Sequence, residues 1–170
     1  MLITLKEDIK PVIHPSVFIA DGAVIVGDVI IEQNASIWFN SIVRGDTEKI
    51  RIGQNTNIQD GSILHSDKDF PLIIGDNVTA GHRVILHGCI IENNVLIGMG
   101  AVIMNGAKIG TGAIIASGSV VLEKTIIPPY SMAAGTPAIT KKSLDKKTAE
   151  KNKETALHYV TLKDGYLEHK

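Results

Sequence analysis

An aliphatic side chain returns at every sixth residue along most of this chain, and that period constrains the fold more than any other feature of the sequence. It runs through Ile13, Ile19, Ile25, Ile31, Ile37 and Val43, then Ile52, Ile58 and Leu64, then Ile74, Ala80 and Leu86, and finally by sixes from Ile91 to Ile127. Four residues after most of these positions comes a small or β-branched residue, for example Ala23, Ala35, Ser41, Thr47, Ser62, Val84, Ala101 and Ser119. A helical stripe would repeat every three or four residues and a half-buried strand every two. A period of six therefore reads as a short strand plus a corner. Three such units close a triangular coil of about 18 residues, and successive coils stack at roughly 4.8 Å. The spacing predicts a mainly β chain, a parallel β-helix with an aliphatic interior. Gly, Asp and Asn fall between the aliphatic positions (Asp21-Gly22, Gly27-Asp28, Gly53, Gly75-Asp76-Asn77, Gly98 and Gly100), where corners are expected to need positive φ.

Composition agrees. The chain has 26 Ile and 13 Val against 11 Leu, a β-branched excess suited to strands. Its 17 basic and 18 acidic residues leave a net charge of −1, which argues against nucleic acid or an anionic membrane surface as a partner. No apolar run approaches the 18 residues of a membrane span. The single cysteine, Cys89, cannot form an internal disulfide and reads as a small buried filler. With charges inside the first ten residues in place of an apolar signal region, the expectation is a cytoplasmic protein.

The six-residue pattern ends after Pro137, so residues 11–140 form the expected β-helix domain and 141–170 a C-terminal helix packed on its outside. Ala156, Leu157, Val160, Lys163 and Leu167 share one face of that helix, with Ser143 or Asp145 as its cap. Proteins with this hexapeptide pattern resemble left-handed parallel β-helices, and the hand is taken from that resemblance.

The period slips in three places. Val43 to Ile52 carries three extra residues, Leu64 to Ile74 carries four, and Leu86 to Ile91 is one short. Counting coils puts Val43, Leu64 and Leu86 on one side of three successive coils, so Arg44, His65 and His87 stack in a column. Two imidazoles on adjacent coils are close enough to share a metal ion, with N-to-metal distances of about 2.0–2.1 Å. His82 follows Ala80 and lies around a corner from that pair; packed about a threefold axis, His82 of one copy can face the His65–His87 column of the next. The reading is a three-histidine site shared between subunits of a homotrimer. His14, His158 and His169 read as ordinary surface histidines.

The segments RGD at 44–46, NIQDGSILH at 57–65, GHRVILHGC at 81–89 and IGMGAVI at 97–103 resemble the γ-class carbonic anhydrases, along essentially the whole chain. The resemblance implies a left-handed β-helix homotrimer with metal ligands at His65, His82 and His87, and Zn2+ or alternatively Fe2+ or Co2+ as the metal. It further implies metal-dependent, reversible hydration of CO2, a small-molecule substrate, to bicarbonate. It maps supporting roles onto Arg44 and Asp46, which pair across or near the interface, onto Gln59 and Asp60 near the metal with Asn57 in the same segment, and onto Tyr159 in the helix. Two departures bear on proton export. Thr47 stands where the family's pattern has a glutamate, with Glu48 next, and the loop after His65 is reduced to Ser66-Asp67-Lys68-Asp69. The step would fall to Glu48, Asp67 or buffer. Rival readings are a hexapeptide acyltransferase, an acyl-CoA thioesterase using the same metal, and a metal-binding homologue with little or no hydratase activity.

Overall fold

A computed structural model describes residues 1–5 and 9–168 of the chain; His169 lies outside them. Strands recur on three sides of a prism and pair parallel from coil to coil. One interior column runs Ile19, Ile37, Ile58, Ala80, Ile97, Ile115 and Ala133, which counts seven coils. Nearly every aliphatic residue of the six-residue series is fully buried in one core, as the period requires.

The small-residue row is buried as well, apart from the half-buried Thr125, one exposed residue and one replacement. Thr47 is exposed, because the first slip carries it out of the coil. Cys89 fills the equivalent place two residues before Ile91, fully buried and without a disulfide.

Corners need glycine for two separate reasons. Gly22, Gly27 and Gly100 have positive φ, as expected, and so do Asn34, Asn55, Asn77 and Asn94. Those four asparagines stack on one edge as a ladder of side-chain hydrogen bonds of 3.0–3.3 Å. Gly53, Gly75 and Gly98 do not have positive φ; what they lack is space. A Cβ on Gly53 would stand 2.5 Å from the Gly75 backbone, and one on Gly98 2.4 Å from the Ser117 nitrogen. Close approach of successive coils, not backbone conformation, demands glycine there.

After the last coil, strand Ser131–Gly135 pairs antiparallel with Ala138–Ser143, and the helix runs from Lys146 to Leu167. Lys141–Ser143 therefore ends a strand and does not begin the helix. Asp145 is the cap: its carboxylate accepts from the Thr148 amide at 3.0 Å. At about 1.5 Å per residue the helix spans about 33 Å, close to the length of seven coils at about 4.8 Å. It lies along one side of the prism, from Gly112 and Asn94, which meet Ala149 and Asn152, back to Phe18 and Trp38, which meet Tyr166.

The buried face differs from the one the leucines suggest. Ala149, Asn152, Ala156 and Lys163 are buried, whereas Leu157 and Leu167 are 39% and 41% exposed; Val160 is half-buried. The reason is steric: toward the C-terminal end of the helix the prism supplies the bulk, through Phe18, Trp38 and Phe39, and meets the edges of Tyr159 and Tyr166, while at the other end Ala149 and Asn152 lie close against Gly112 and Asn94. Lys163 is almost wholly buried, and its ammonium meets the exposed Asp164 carboxylate. Among the described residues no helix is long and apolar enough to cross a membrane.

Burial pushes the Cys89 thiol up to about 12. In the folded protein at pH 8 it should react negligibly with a thiol reagent such as dithiobis-nitrobenzoate, and stoichiometrically in denaturant; native-state labelling within minutes would contradict this packing.

Candidate metal centre

The register places Arg44, His65 and His87 side by side on three successive coils, as the counting of coils expects. The imidazoles of His65 and His87 converge, Nδ1 of the first 2.9 Å from Nε2 of the second. Each uses its remaining nitrogen elsewhere. His65 Nε2 lies 2.9 Å from Asp46 Oδ1. A carboxylate only accepts, so Nε2 carries the proton. His87 Nδ1 lies 2.7 Å from Asn105 Oδ1, and the Asn105 amide donates its N–H to Asp67 at 3.1 Å. Its oxygen therefore faces His87, and Nδ1 carries that proton.

Two neutral imidazoles so arranged aim bare lone pairs at each other across 2.9 Å. That arrangement repels unless something positive lies between them, a shared proton or a metal cation. Around a tetrahedral metal with N-to-metal distances of about 2.0–2.1 Å, two ligand nitrogens stand about 3.3 Å apart, so little adjustment is needed. Acceptors that orient ligating imidazoles from behind are the usual support of metal sites. The donor set fits a borderline-soft divalent ion.

The charged groups behind His65 form a short chain. Arg44 and Asp46 pair within one chain. Partial burial disfavours the Asp46 charge, but the hydrogen bonds from Arg44 and His65 outweigh it and hold the carboxyl below its usual range. On the other side Asp67 is fully exposed, and the Lys68 amide and the Asn105 side chain hold its carboxyl low.

A second cluster lies around the corner. His82 Nδ1 meets Asp60 Oδ2 at 2.8 Å, which leaves Nε2 bare and outward on a half-exposed ring. Gln59, only 5% exposed, donates to Asn57 Oδ1 at 3.1 Å and hydrogen-bonds Tyr159. Burial raises the Tyr159 phenol, the nearby Asp60 charge raises it further, and the Gln59 contact offsets part of this. Gln59, Asp60 and Tyr159 thus gather at His82 and not at the His65–His87 pair. Among the described residues of one chain no three His, Cys, Asp or Glu converge on a common metal position.

The bacterial transferase hexapeptide (six repeats) family pattern matches residues 10–45 and 88–123. A probable carbonic anhydrase of Methanocaldococcus jannaschii is 51% identical over 152 residues, covering 89% of this chain and 96% of its own. A mitochondrial γ carbonic anhydrase of Arabidopsis thaliana is 37% identical over 91% of this chain and 58% of its own. The chain belongs to the γ-class carbonic anhydrase family. This γ-class chain is also similar to the crystal structure of an acetyltransferase candidate from Bacillus cereus, with a TM-score of 0.95, 40% identity and coverage of 99% and 98%. Of the residues around its histidines, Asn105 escaped sequence reasoning. The available signal was positional: it stands 18 residues, one coil, after His87.

An absorbance titration compared with Tyr159→Phe should assign to Tyr159 a phenol ionising above the ordinary value of about 10. Asp60→Asn removes a negative neighbour and should lower that pKa; no change would separate Asp60 from the phenol.

Proposed function

We propose that this protein catalyses the reversible hydration of CO2 to bicarbonate, with a divalent ion, Zn2+ or alternatively Fe2+ or Co2+, held by His65, His87 and the partner subunit's His82 in a homotrimer. The observation that carries the reading is the pair of bare nitrogens converging at 2.9 Å, each imidazole fixed from behind by an acceptor. At the other corner the half-exposed His82, held at Nδ1 by Asp60 with Nε2 left bare, supports the third ligand. When bound, such an ion acts as a Lewis acid that brings the pKa of a water molecule to about 7, producing a nucleophile at neutral pH.

The chain's own groups do the rest. Asp46, Asn105 and Asp60 each fix one imidazole, Arg44 holds the Asp46 carboxylate in place, and Gln59 and Tyr159 accompany His82 into the shared site. The outer face next to His65 and His87 supports assembly. Val24, Ile42, Ile63, Ile85, Val102 and Val120 form an outward aliphatic ladder along six coils, with Ile63 and Ile85 more than a third exposed. A second copy covering this ladder would bring its own His82 corner to the pair.

Both carboxylates available for proton export are engaged: Glu48 Oε1 accepts from the Asp69 amide at 3.4 Å, and Asp67 is held by Asn105. Turnover should therefore rise with the concentration of an imidazole buffer; a fast, buffer-independent rate would show an internal carrier.

Stopped-flow CO2 hydration on zinc-loaded and, anaerobically, iron-loaded protein tests the reading. His87→Ala and His82→Ala should each lose at least about a hundredfold in rate, with the solution mass of wild type and His82→Ala at three times 18.2 kDa. Full metal occupancy in His82→Ala, or a monomer that hydrates CO2, would overturn the shared site. Ile63→Lys with Ile85→Lys should give a folded monomer that no longer retains metal. A second reading, acyl transfer or thioester hydrolysis, is favoured by the likeness to the Bacillus cereus acetyltransferase candidate. Turnover of acetyl-CoA by metal-loaded protein that fails to hydrate CO2 would select it.

A further inference from the structure

Past His65 itself, the loop of the second slip, before Ile74, hydrogen-bonds neither of the paired imidazoles. It is a tight loop in which the Asp67 and Phe70 backbones pair, N–H to carbonyl, at 3.2 and 2.8 Å. Phe70 seats that loop on two glycines: a Cβ on Gly88 would meet its Cβ at 2.7 Å, and one on Gly106 its ring at 3.0 Å. Those glycines adjoin His87 and Asn105. The loop is thereby held where the Asp67 carboxylate reaches the Asn105 amide.

We infer that Asp67, an exposed loop residue hydrogen-bonded to neither imidazole, is a positioning residue that decides which nitrogen of His87 carries the proton, acting through Asn105. The side-chain amide of Asn105 has two faces. With its N–H committed to Asp67, it can offer His87 only its oxygen, so Nδ1 is the protonated nitrogen and Nε2 is bare. Turned over, the same amide would offer N–H to Nδ1, move the proton to Nε2, and aim that proton at His65. His65 needs no such device. A carboxylate presents an acceptor in either orientation, and Asp46 touches the ring directly. The first two slips therefore serve one purpose by two routes, one carboxylate acting directly and one through an amide that has to be held the right way round.

The consequence for metal binding rests on the function proposed above, while the tautomer itself rests only on the hydrogen bonds. In long-range 15N–1H NMR of the metal-free protein at alkaline pH, wild type should show His87 protonated at Nδ1 alone. Asp67→Ala frees the amide and should populate the Nε2-protonated form. Asp67→Ala with Asn105→Asp should restore the wild-type tautomer, because a carboxylate at 105 needs no orienting; a loop that merely supported the fold would give no such rescue. Zinc affinity, measured against a chelator, should fall about tenfold or more in Asp67→Ala and recover in the double variant. An unchanged His87 tautomer in Asp67→Ala, or no recovery in the double variant, overturns the relay. If the tautomers behave as stated and no variant, wild type included, binds zinc, the relay stands and the metal reading falls.

Discussion

Every feature of this molecule depends on the coil-to-coil backbone ladder. Parallel strands at about 4.8 Å fix the perimeter of each coil, and the interior admits one large aliphatic residue and one smaller residue per side. An inserted residue cannot be absorbed inside, so it must leave at a corner. The two insertions therefore sit where side chains can be carried outward without breaking the ladder, and with the third slip, one residue short, they frame His65 and His87. A rigid scaffold with projecting loops is the usual way to hold functional groups precisely while leaving the core undisturbed.

Rigidity also explains how two imidazoles can be kept lone pair to lone pair. In a looser fold, one ring would turn to donate to the other. Here His65 and His87 rise from paired positions of adjacent coils, and each is anchored from behind, by Asp46 and by Asn105. The cost of this arrangement is electrostatic, and a cation between the rings would relieve it. The Asp60 carboxylate holds His82 in the same manner at the neighbouring corner.

Much of this was legible in the sequence. The period of six and its slips gave the prism, the column of Arg44, His65 and His87, and the separate corner for His82. Residue type misled where bulk was supplied from elsewhere. Leu157 and Leu167 looked like the buried face of the helix, but Phe18 and Trp38 on the prism meet Tyr159 and Tyr166 at one end, and Ala149 and Asn152 lie close against Gly112 and Asn94 at the other. Gly53, Gly75 and Gly98 looked like turn formers, yet they are required by the distance to the next coil, which no local pattern records.

What the sequence determined by itself is whatever repeats: a covalent period converts directly into a spatial one, so fold, core and the stacking of His65 on His87 follow from counting. What only the tertiary structure decided is the hydrogen bonding that crosses the period. Asn105 stands one coil beyond His87 and Asp67 stands 38 residues before Asn105, in a loop held by Phe70 against Gly88. Their meeting depends on how a loop folds back over a corner, and the direction in which an amide faces depends on which acceptor reaches it first. Neither is written in spacing, because both are set by distances between atoms that the chain brings together only once it has coiled.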